Sequence, residues 1–372
     1  MGHHSEAFVG IDTSKLRNAV AIAEGGRCGE VRFLGEFPAT EAAVRKLVAK
    51  LAEKYRHLTF CYEAGPTGYW LYRLIKSLGH ECLVVAPSLT PKKPGDRVKT
   101  NRRDSRSLAK LLRAGELTAV WVPDERHEAM RDLSRARQAA KKDQQGKRQQ
   151  ISSLMLRLGR IYPGKKTWGP AHMRWLMTQK FEHREQRMAF EELLQGVRQE
   201  GERIERLEQA IREAVPDWSL AEMVTAVQAM RGFDLIAAVG VMAETGDLSR
   251  FQKPREFMGY LGVVPSESST GDRVKRGGIT KAGNSRARRI LVEAAWAYRH
   301  PARVGREKQA KVAAAPRRVR EIAWKAQTRL CRRFRSLERK GKRRTVVATA
   351  VARELAAFIW AISREVGSPR TA

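Results

Sequence analysis

The chain has 372 residues, more than one ordinary core accommodates, and suits two domains joined by additional structure. Its 72 Lys and Arg stand against 40 Asp and Glu, a formal charge of +32 for which folding has no use, so a polyanion is the expected partner. The segment Met1–Asp12 has no apolar signal-peptide core, and no uninterrupted apolar run reads as long enough to span a bilayer, so a cytoplasmic, nucleoid-associated protein is expected. Cys28, Cys61, Cys82 and Cys331 form no CxxC pair and have no histidine at ligand spacing, which argues against a zinc site or a disulfide framework.

Taken in chain order, strand-like apolar runs occur at Ala7–Ile11, Ala19–Ala23, Val31–Phe37, Leu58–Tyr62, Glu81–Val85 and Ala119–Val122. Helical patterns lie at Glu41–Lys54, Tyr69–Leu78 and Asp104–Leu112. Three strands before the first helix, then alternation, predict an α/β sheet that begins as a meander. A very polar helix over Glu125–Tyr162 ends at a Pro/Gly break, and a second long helix is expected over Arg174–Val215. In the latter Phe190, Leu193, Val197, Ile204, Leu207 and Ile211 follow a three-four spacing. The pair reads as an antiparallel coiled coil that mediates subunit contact, or as helices packed on their own domain. From Leu220 onward the pattern is all helical with Gly-rich interruptions, and the turn at Met230–Asp234 reads as a helix–hairpin–helix or an ordinary helix turn. The Arg/Lys-rich tail over Ala302–Thr345 carries apolar anchors such as Trp324 and Phe334, unlike a disordered segment.

Asp12 and Glu63 end strand-like runs, where carboxylates can converge at one sheet edge, and the step from Asn101 to Asp104 shares a helix face. Such oxygen donors suit Mg2+ and metal-assisted phosphoryl transfer; a helix cap at Asp104 and a strand-ending Glu63 are the alternative. The motifs Val9-Gly10-Ile11-Asp12, Tyr62-Glu63-Ala64-Gly65 and Asp96 to Asp104 resemble the DEDD transposases of insertion-sequence family 110, related to the Piv invertase and RuvC-like resolvases. The family's four acidic positions fall on Asp12, Glu63, Asn101 and Asp104, and Asn101 departs from the usual third Asp, offering a neutral oxygen.

A second motif region runs from Gly262 to Asn284, where hydroxyl side chains lie among glycines and cations. On residues alone it is a phosphate-binding loop or a nucleophile segment. Its Pro-x-Glu-x-Ser-Ser/Thr-Gly and Gly-Ile-Thr-Lys-x-Gly-Asn patterns resemble the same family's C-terminal domain, whose nucleophilic serine maps to Ser269, with Ser268 as the other registration.

The resemblance implies α/β plus all-α architecture: an RNase H-like (RuvC-like) domain at 1–124, a helical coiled-coil middle at 125–218 and a helical C-terminal transposase domain at 219–372. It implies Mg2+ as cofactor and a DNA recombinase that cuts and rejoins the strands of an insertion sequence through a phosphoserine intermediate. It also implies guidance by a non-coding bridge RNA and action as a dimer or tetramer whose metal and serine domains meet in a composite site. Expected nucleic-acid contacts are Lys99, Arg102, Arg103, Lys141, Lys142, Arg273, Lys275, Arg276, Lys281, Arg317, Arg318, Arg332 and Arg333; solvated helix faces are the alternative. Two rival functions stand beside this one: a RuvC-like nuclease that uses water, and a non-catalytic nucleic-acid-binding protein.

Overall fold

The computed structural model describes residues 4–91 and 100–367. The chain forms two compact units, Met1–Val122 and Pro123–Ala372. In the first, β1 (His4–Asp12), β2 (Arg17–Glu24) and β3 (Val31–Pro38) form an antiparallel meander. After α1 (Glu41–Ala52) comes β4 (Tyr55–Glu63), parallel to β1, and after α2 (Trp70–Ser77) comes β5 (Glu81–Val85), parallel to β4. Then follows α3 (Asn101–Arg113). The sheet order β3-β2-β1-β4-β5 is the expected mixed α/β arrangement and is consistent with an RNase H-like domain. The strand expected at Ala119–Val122 does not form. Among the described residues, Ala119 contributes an isolated bridge to Val85, and Pro123, which has no N–H to donate, follows directly.

Side-chain alternation divides the sheet. Ala7, Val9 and Ile11 of β1, with Leu58, Phe60 and Tyr62 of β4, pack under α1 and α2. Phe8 and Gly10 of β1 and Cys61 of β4 lie on the other face, against α3. Gly10 is required there: a Cβ would stand 2.4 Å from the Ser105 carbonyl oxygen and 2.4 Å from the Ala109 nitrogen.

The second unit opens with α4 (Glu125–Arg157), α5 (Pro170–Met177) and α6 (Arg184–Ala214). The helix expected over Arg174–Val215 is therefore two helices. Thr178 ends the first, its hydroxyl donating to the Trp175 carbonyl at 2.9 Å. α4 and α6 lie antiparallel: Arg137 Nη2 is 2.7 Å from Glu208 Oε1, and nearer the far end Gln144 Nε2 donates to Val197 O at 3.3 Å. Ile151, Leu154, Leu176, Phe190, Leu194 and Val197 make a local core at that end.

Next come α7 (Ala221–Gln228), α8 (Leu235–Thr245), α9 (Pro254–Tyr260), β6 (Pro265–Glu267), β7 (Arg276–Ile279) and α10 (Ser285–Ala295). The chain continues through α11 (Arg306–Ala313), α12 (Arg317–Arg339) and α13 (Arg344–Val366). The expectation of an all-helical region is corrected at β6 and β7, an antiparallel hairpin. By length and composition α13 could cross a membrane, although Arg353 and Glu354 interrupt its apolar run. In the fold α13 is a core helix: Val347, Val351, Leu355, Ile359 and Ile362 are buried where it packs on α7, α9, α10 and α12. In α12 the anchor Phe334, with Val319 and Leu330, is buried, while the expected anchor Trp324 and the arginines are exposed, so this basic segment is a folded helix.

The C-terminus of α8, where helix carbonyls lack intrahelical donors, is capped by α4. Arg131 Nε donates to Ala243 O at 2.9 Å, and His127 Nε2 donates to the same carbonyl at 2.9 Å, which requires hydrogen on Nε2. His127 is buried at 2% exposure, and that burial pushes its pKa down to about 4, with Arg131 acting in the same direction against the carbonyl bond. The unfolded chain takes up this proton near pH ~6.5 and the folded one only near 4, so the contribution is complete above the unfolded value and is lost as pH falls toward 4. The stability of wild type over that range is expected to fall by on the order of 3 kcal/mol more than that of His127→Gln, measured by urea unfolding from pH 7 to 4.

Candidate functional site

Asp12 and Glu63 are the last residues of neighbouring parallel strands, with Ile11 opposite Tyr62 in register just before them. By alternation both side chains fall on the α3 face, two residues beyond Gly10 and Cys61 respectively. α3 runs opposite to β1. Near its C-terminus Arg113 Nη1 donates to Glu24 O at 3.0 Å, and Glu24 pairs with Ala7 at the early end of β1. The start of α3 therefore lies at the edge where Asp12 and Glu63 stand. Its sheet-facing stripe is Ser105, Leu108, Ala109 and Leu112, and one turn back from Leu108 is Asp104. Asp12, Glu63 and Asp104 are half-buried, and Asn101 is exposed at the first turn.

Local bonds fix this edge. The Thr100 hydroxyl caps α3 by accepting from Arg103 N at 3.3 Å, so the capping role considered for Asp104 belongs to Thr100. The hydroxyls of Thr13 and Thr67 pair at 3.2 Å and tie the loop after Asp12 to the loop after Glu63. Among the described residues, no three His, Cys, Asp or Glu side chains gather into a ready cage for a metal ion. The donors are nevertheless all oxygen, which is the set Mg2+ takes. That ion commonly holds one or two carboxylates and completes its shell with water and substrate phosphate.

In the second unit, Ser269 stands exposed near the tip of the β6–β7 hairpin, which Thr270 and Arg273 close through reciprocal backbone bonds of 3.1 and 3.2 Å. Ser269 Oγ donates to Glu267 Oε1 at 2.9 Å, and Arg276 Nε donates to Glu267 Oε2 at 3.3 Å. Glu267 is the Glu of the Pro-x-Glu-x-Ser-Ser/Thr-Gly pattern, to which the sequence analysis gave no role of its own. Its signal is the two-residue step to Ser269, which puts both on one side of an extended segment.

The hairpin is rooted in the core. Lys281 N bonds Gly262 O at 3.0 Å, and a Cβ on Gly262 would stand 2.1 Å from Ala282 O. Asn284 caps α10 with its Oδ1, while its Nδ2 donates to Glu244 Oε2 at 2.8 Å. The Glu244 carboxylate, only 1% exposed, is gripped by Arg135 of α4 at 2.8 and 2.9 Å. Burial alone would raise the Glu244 pKa, but the Arg135 fork and the Asn284 amide outweigh it and hold it below the usual range. Arg135→Ala, which leaves this carboxylate without its main counter-charge, is expected to cost about 3 kcal/mol. Arg135→Leu with Glu244→Leu should cost less, a ranking read from denaturation midpoints.

The cations named from the sequence divide by use. Arg102 lies 5.6 Å from the Phe33 ring centroid, Arg276 holds Glu267, Arg317 and Arg318 share Glu321, and Arg333 shares Glu354 with Arg329. Arg103, Lys141, Lys142, Arg273, Lys275, Lys281 and Arg332 are exposed, and Lys99 lies outside the described residues. At Met230–Asp234 the glycine answers a packing demand, because a Cβ on Gly232 would stand 2.5 Å from Ala294 O. Asp234 caps α8, accepting from Ala237 N at 2.7 Å.

Two family models match the chain. One, described as Transposase and modelling the DEDD transposases of IS110, covers residues 9–159, and the other, Transposase IS116/IS110/IS902 family, covers 224–309. A putative transposase, y4qE, of Sinorhizobium fredii is 59% identical over 362 residues, 97% of this chain and 90% of that protein. The transposase for insertion sequence element IS1533 of Leptospira borgpetersenii is 29% identical over 341 residues, 91% of this chain and 98% of that protein. A probable family 20 transposase of Pseudomonas aeruginosa is 27% identical over 259 residues, 67% and 74% of the two chains. The first model spans the acidic edge and the second the serine hairpin, and with a relative 59% identical along nearly its whole length the chain belongs to the IS110 family of DEDD transposases, enzymes of DNA transposition.

Proposed function

We propose that this transposase cuts and rejoins the strands of its insertion sequence through a covalent phosphoserine, with Ser269 as nucleophile. The observation that carries the reading is an exposed hydroxyl, its proton directed by a carboxylate, on a cationic hairpin anchored to the buried Glu244 carboxylate. In the first step a bond forms between Ser269 Oγ and a DNA phosphorus, and the bond from phosphorus to the leaving DNA oxygen breaks. The hydroxyl proton passes to water, and the leaving oxygen takes one back. A DNA hydroxyl, giving its proton to water, then displaces Oγ from phosphorus and Oγ takes a proton back, so the phosphodiester is conserved without a nucleotide cofactor. Arg273 and Lys275 are the hairpin cations placed to hold the phosphate under attack.

Asp12 and Glu63, with Asp104 and Asn101 at the start of α3, are the residues that would hold Mg2+, which supplies charge neutralisation at the phosphate. Lys99, Arg102, Arg103, Lys141, Lys142, Arg276, Lys281, Arg317, Arg318, Arg332 and Arg333 are assigned to nucleic-acid backbone. Part of that backbone belongs to a non-coding bridge RNA whose pairing selects the DNA. The three-part division at 1–124, 125–218 and 219–372 follows these roles. The α4–α6 pair serves as a coiled coil between subunits of a dimer or tetramer, a reading supported by Leu156, Ile161, Met177 and Met188, exposed in and around these helices. The work is done in the cytoplasm, on the nucleoid.

The test is a denaturing gel of full-length protein incubated with Mg2+, labelled element-end DNA and RNA transcribed from the flanking sequence. A covalent protein–DNA band is expected. Cleavage without that band would instead mark a nuclease that uses water, and binding without cleavage a chain that has lost catalysis.

A further inference from the structure

We propose that Glu267, held in place by Arg276, is the positioning residue that aims the Ser269 hydroxyl at the phosphate. This rests on Ser269 being the nucleophile.

A serine hydroxyl on an exposed hairpin rotates among three staggered wells, and its hydrogen can turn in each. Here Glu267 Oε1 accepts the Ser269 hydrogen at 2.9 Å, so one rotamer is selected and the lone pairs of Oγ are turned away from the carboxylate. A carboxylate so close to an attacking atom would repel an incoming phosphate. Arg276 answers that repulsion by binding the second oxygen, Oε2, at 3.3 Å, leaving Oε1 to the serine. The three side chains thus form a relay across the two strands, with Glu267 ending β6 and Arg276 opening β7, paired in register. The backbone bond from Ser268 N to Lys275 O, 2.9 Å, keeps the two legs aligned beyond that pair.

The same contacts decide what Glu267 does. The Ser269 hydrogen bond, then the Arg276 bond and charge, hold its carboxyl below the ordinary glutamate range. A carboxylate so stabilised is a poor base for a serine hydroxyl, whose proton is far more tightly held, so orientation rather than proton removal is its contribution. Orientation of a nucleophile is a rate effect, because a misaimed attacking atom lowers the chance of a productive approach without weakening binding of the rest of the DNA.

The experiment follows single-turnover adduct formation by the full chain on labelled element-end duplex, with Mg2+ and the flanking transcript, and measures DNA affinity separately. Glu267→Ala is expected to slow adduct formation on the order of 10²-fold with DNA affinity unchanged. Glu267→Gln, whose amide oxygen still accepts the hydroxyl hydrogen, is expected to recover most of that rate. The proposal is overturned if Glu267→Ala reacts as fast as wild type. It is also overturned if Gln is as slow as Ala, which would make Glu267 a proton acceptor, or if DNA affinity falls in step with rate, which would make the pair merely structural. Failure of the underlying reading is separately visible, since then either wild type would form no adduct or Ser269→Ala would still form it.

Discussion

Asp12→Asn is expected to abolish strand cleavage while leaving DNA affinity unchanged or slightly raised. The substitution keeps the shape of the side chain at the end of β1 and its place on the α3 face, but removes one of two carboxylates on adjoining parallel strand ends. In the proposed site Asn101 would offer a neutral oxygen, so a second neutral oxygen would leave Glu63 and Asp104 as the anionic donors. A metal at a phosphoryl centre contributes several kcal/mol of transition-state stabilisation, so the loss should be about 10³-fold or more. Loss of a negative charge near the DNA cannot weaken binding electrostatically. Cleavage assays across a Mg2+ titration check the first expectation, and filter binding in EDTA checks the second. Cleavage at near-normal rate by Asp12→Asn would remove the acidic edge from the chemistry.

Ser269→Ala is expected to eliminate the covalent protein–DNA species, on the order of 10³-fold or more, because no other atom of the side chain can make the bond. The same change should alter stability by less than about 0.5 kcal/mol, since the exposed hydroxyl makes a hydrogen bond to Glu267 at the tip of the hairpin and fills no core space. Thermal unfolding and DNA affinity close to wild type, together with a missing adduct, would separate a chemical role from a structural one.

How far these sites could be read from the sequence follows from how local their causes are. The strand ends at Asp12 and Glu63 were legible, because alternating apolar residues in Phe8–Asp12 and Leu58–Glu63 mark both the strand and its end. The start of α3 was legible only in part: the step from Asn101 to Asp104 marks a helix face, and the cap, weighed for Asp104 as the alternative to metal binding, is Thr100. The hairpin at 265–279 was not. Its glycines and hydroxyl residues carry no two-residue apolar period, and it is held by distant partners: Tyr260 and Gly262 upstream, Asn284 and Glu244 beneath. Glu244 itself was invisible as a hub, a lone acid at the end of the apolar helix α8, because its partner Arg135 is 109 positions away in the chain. The apolar stripe of α13 is explained by the fold, in which it belongs to the second unit's core. The break between α5 and α6 has a similar character, since the two pack into one local core around Phe190 and Leu176 that spacing could not reveal.

The most direct measurement of the central claim is peptide mapping of the covalent species by mass spectrometry, after wild-type protein has reacted with element-end DNA and the DNA has been trimmed by nuclease. The account predicts a nucleotide mass on Ser269, with Ser268 and Thr270 unmodified. Strand cleavage with no modified peptide, or a nucleotide carried by a different side chain, would contradict it.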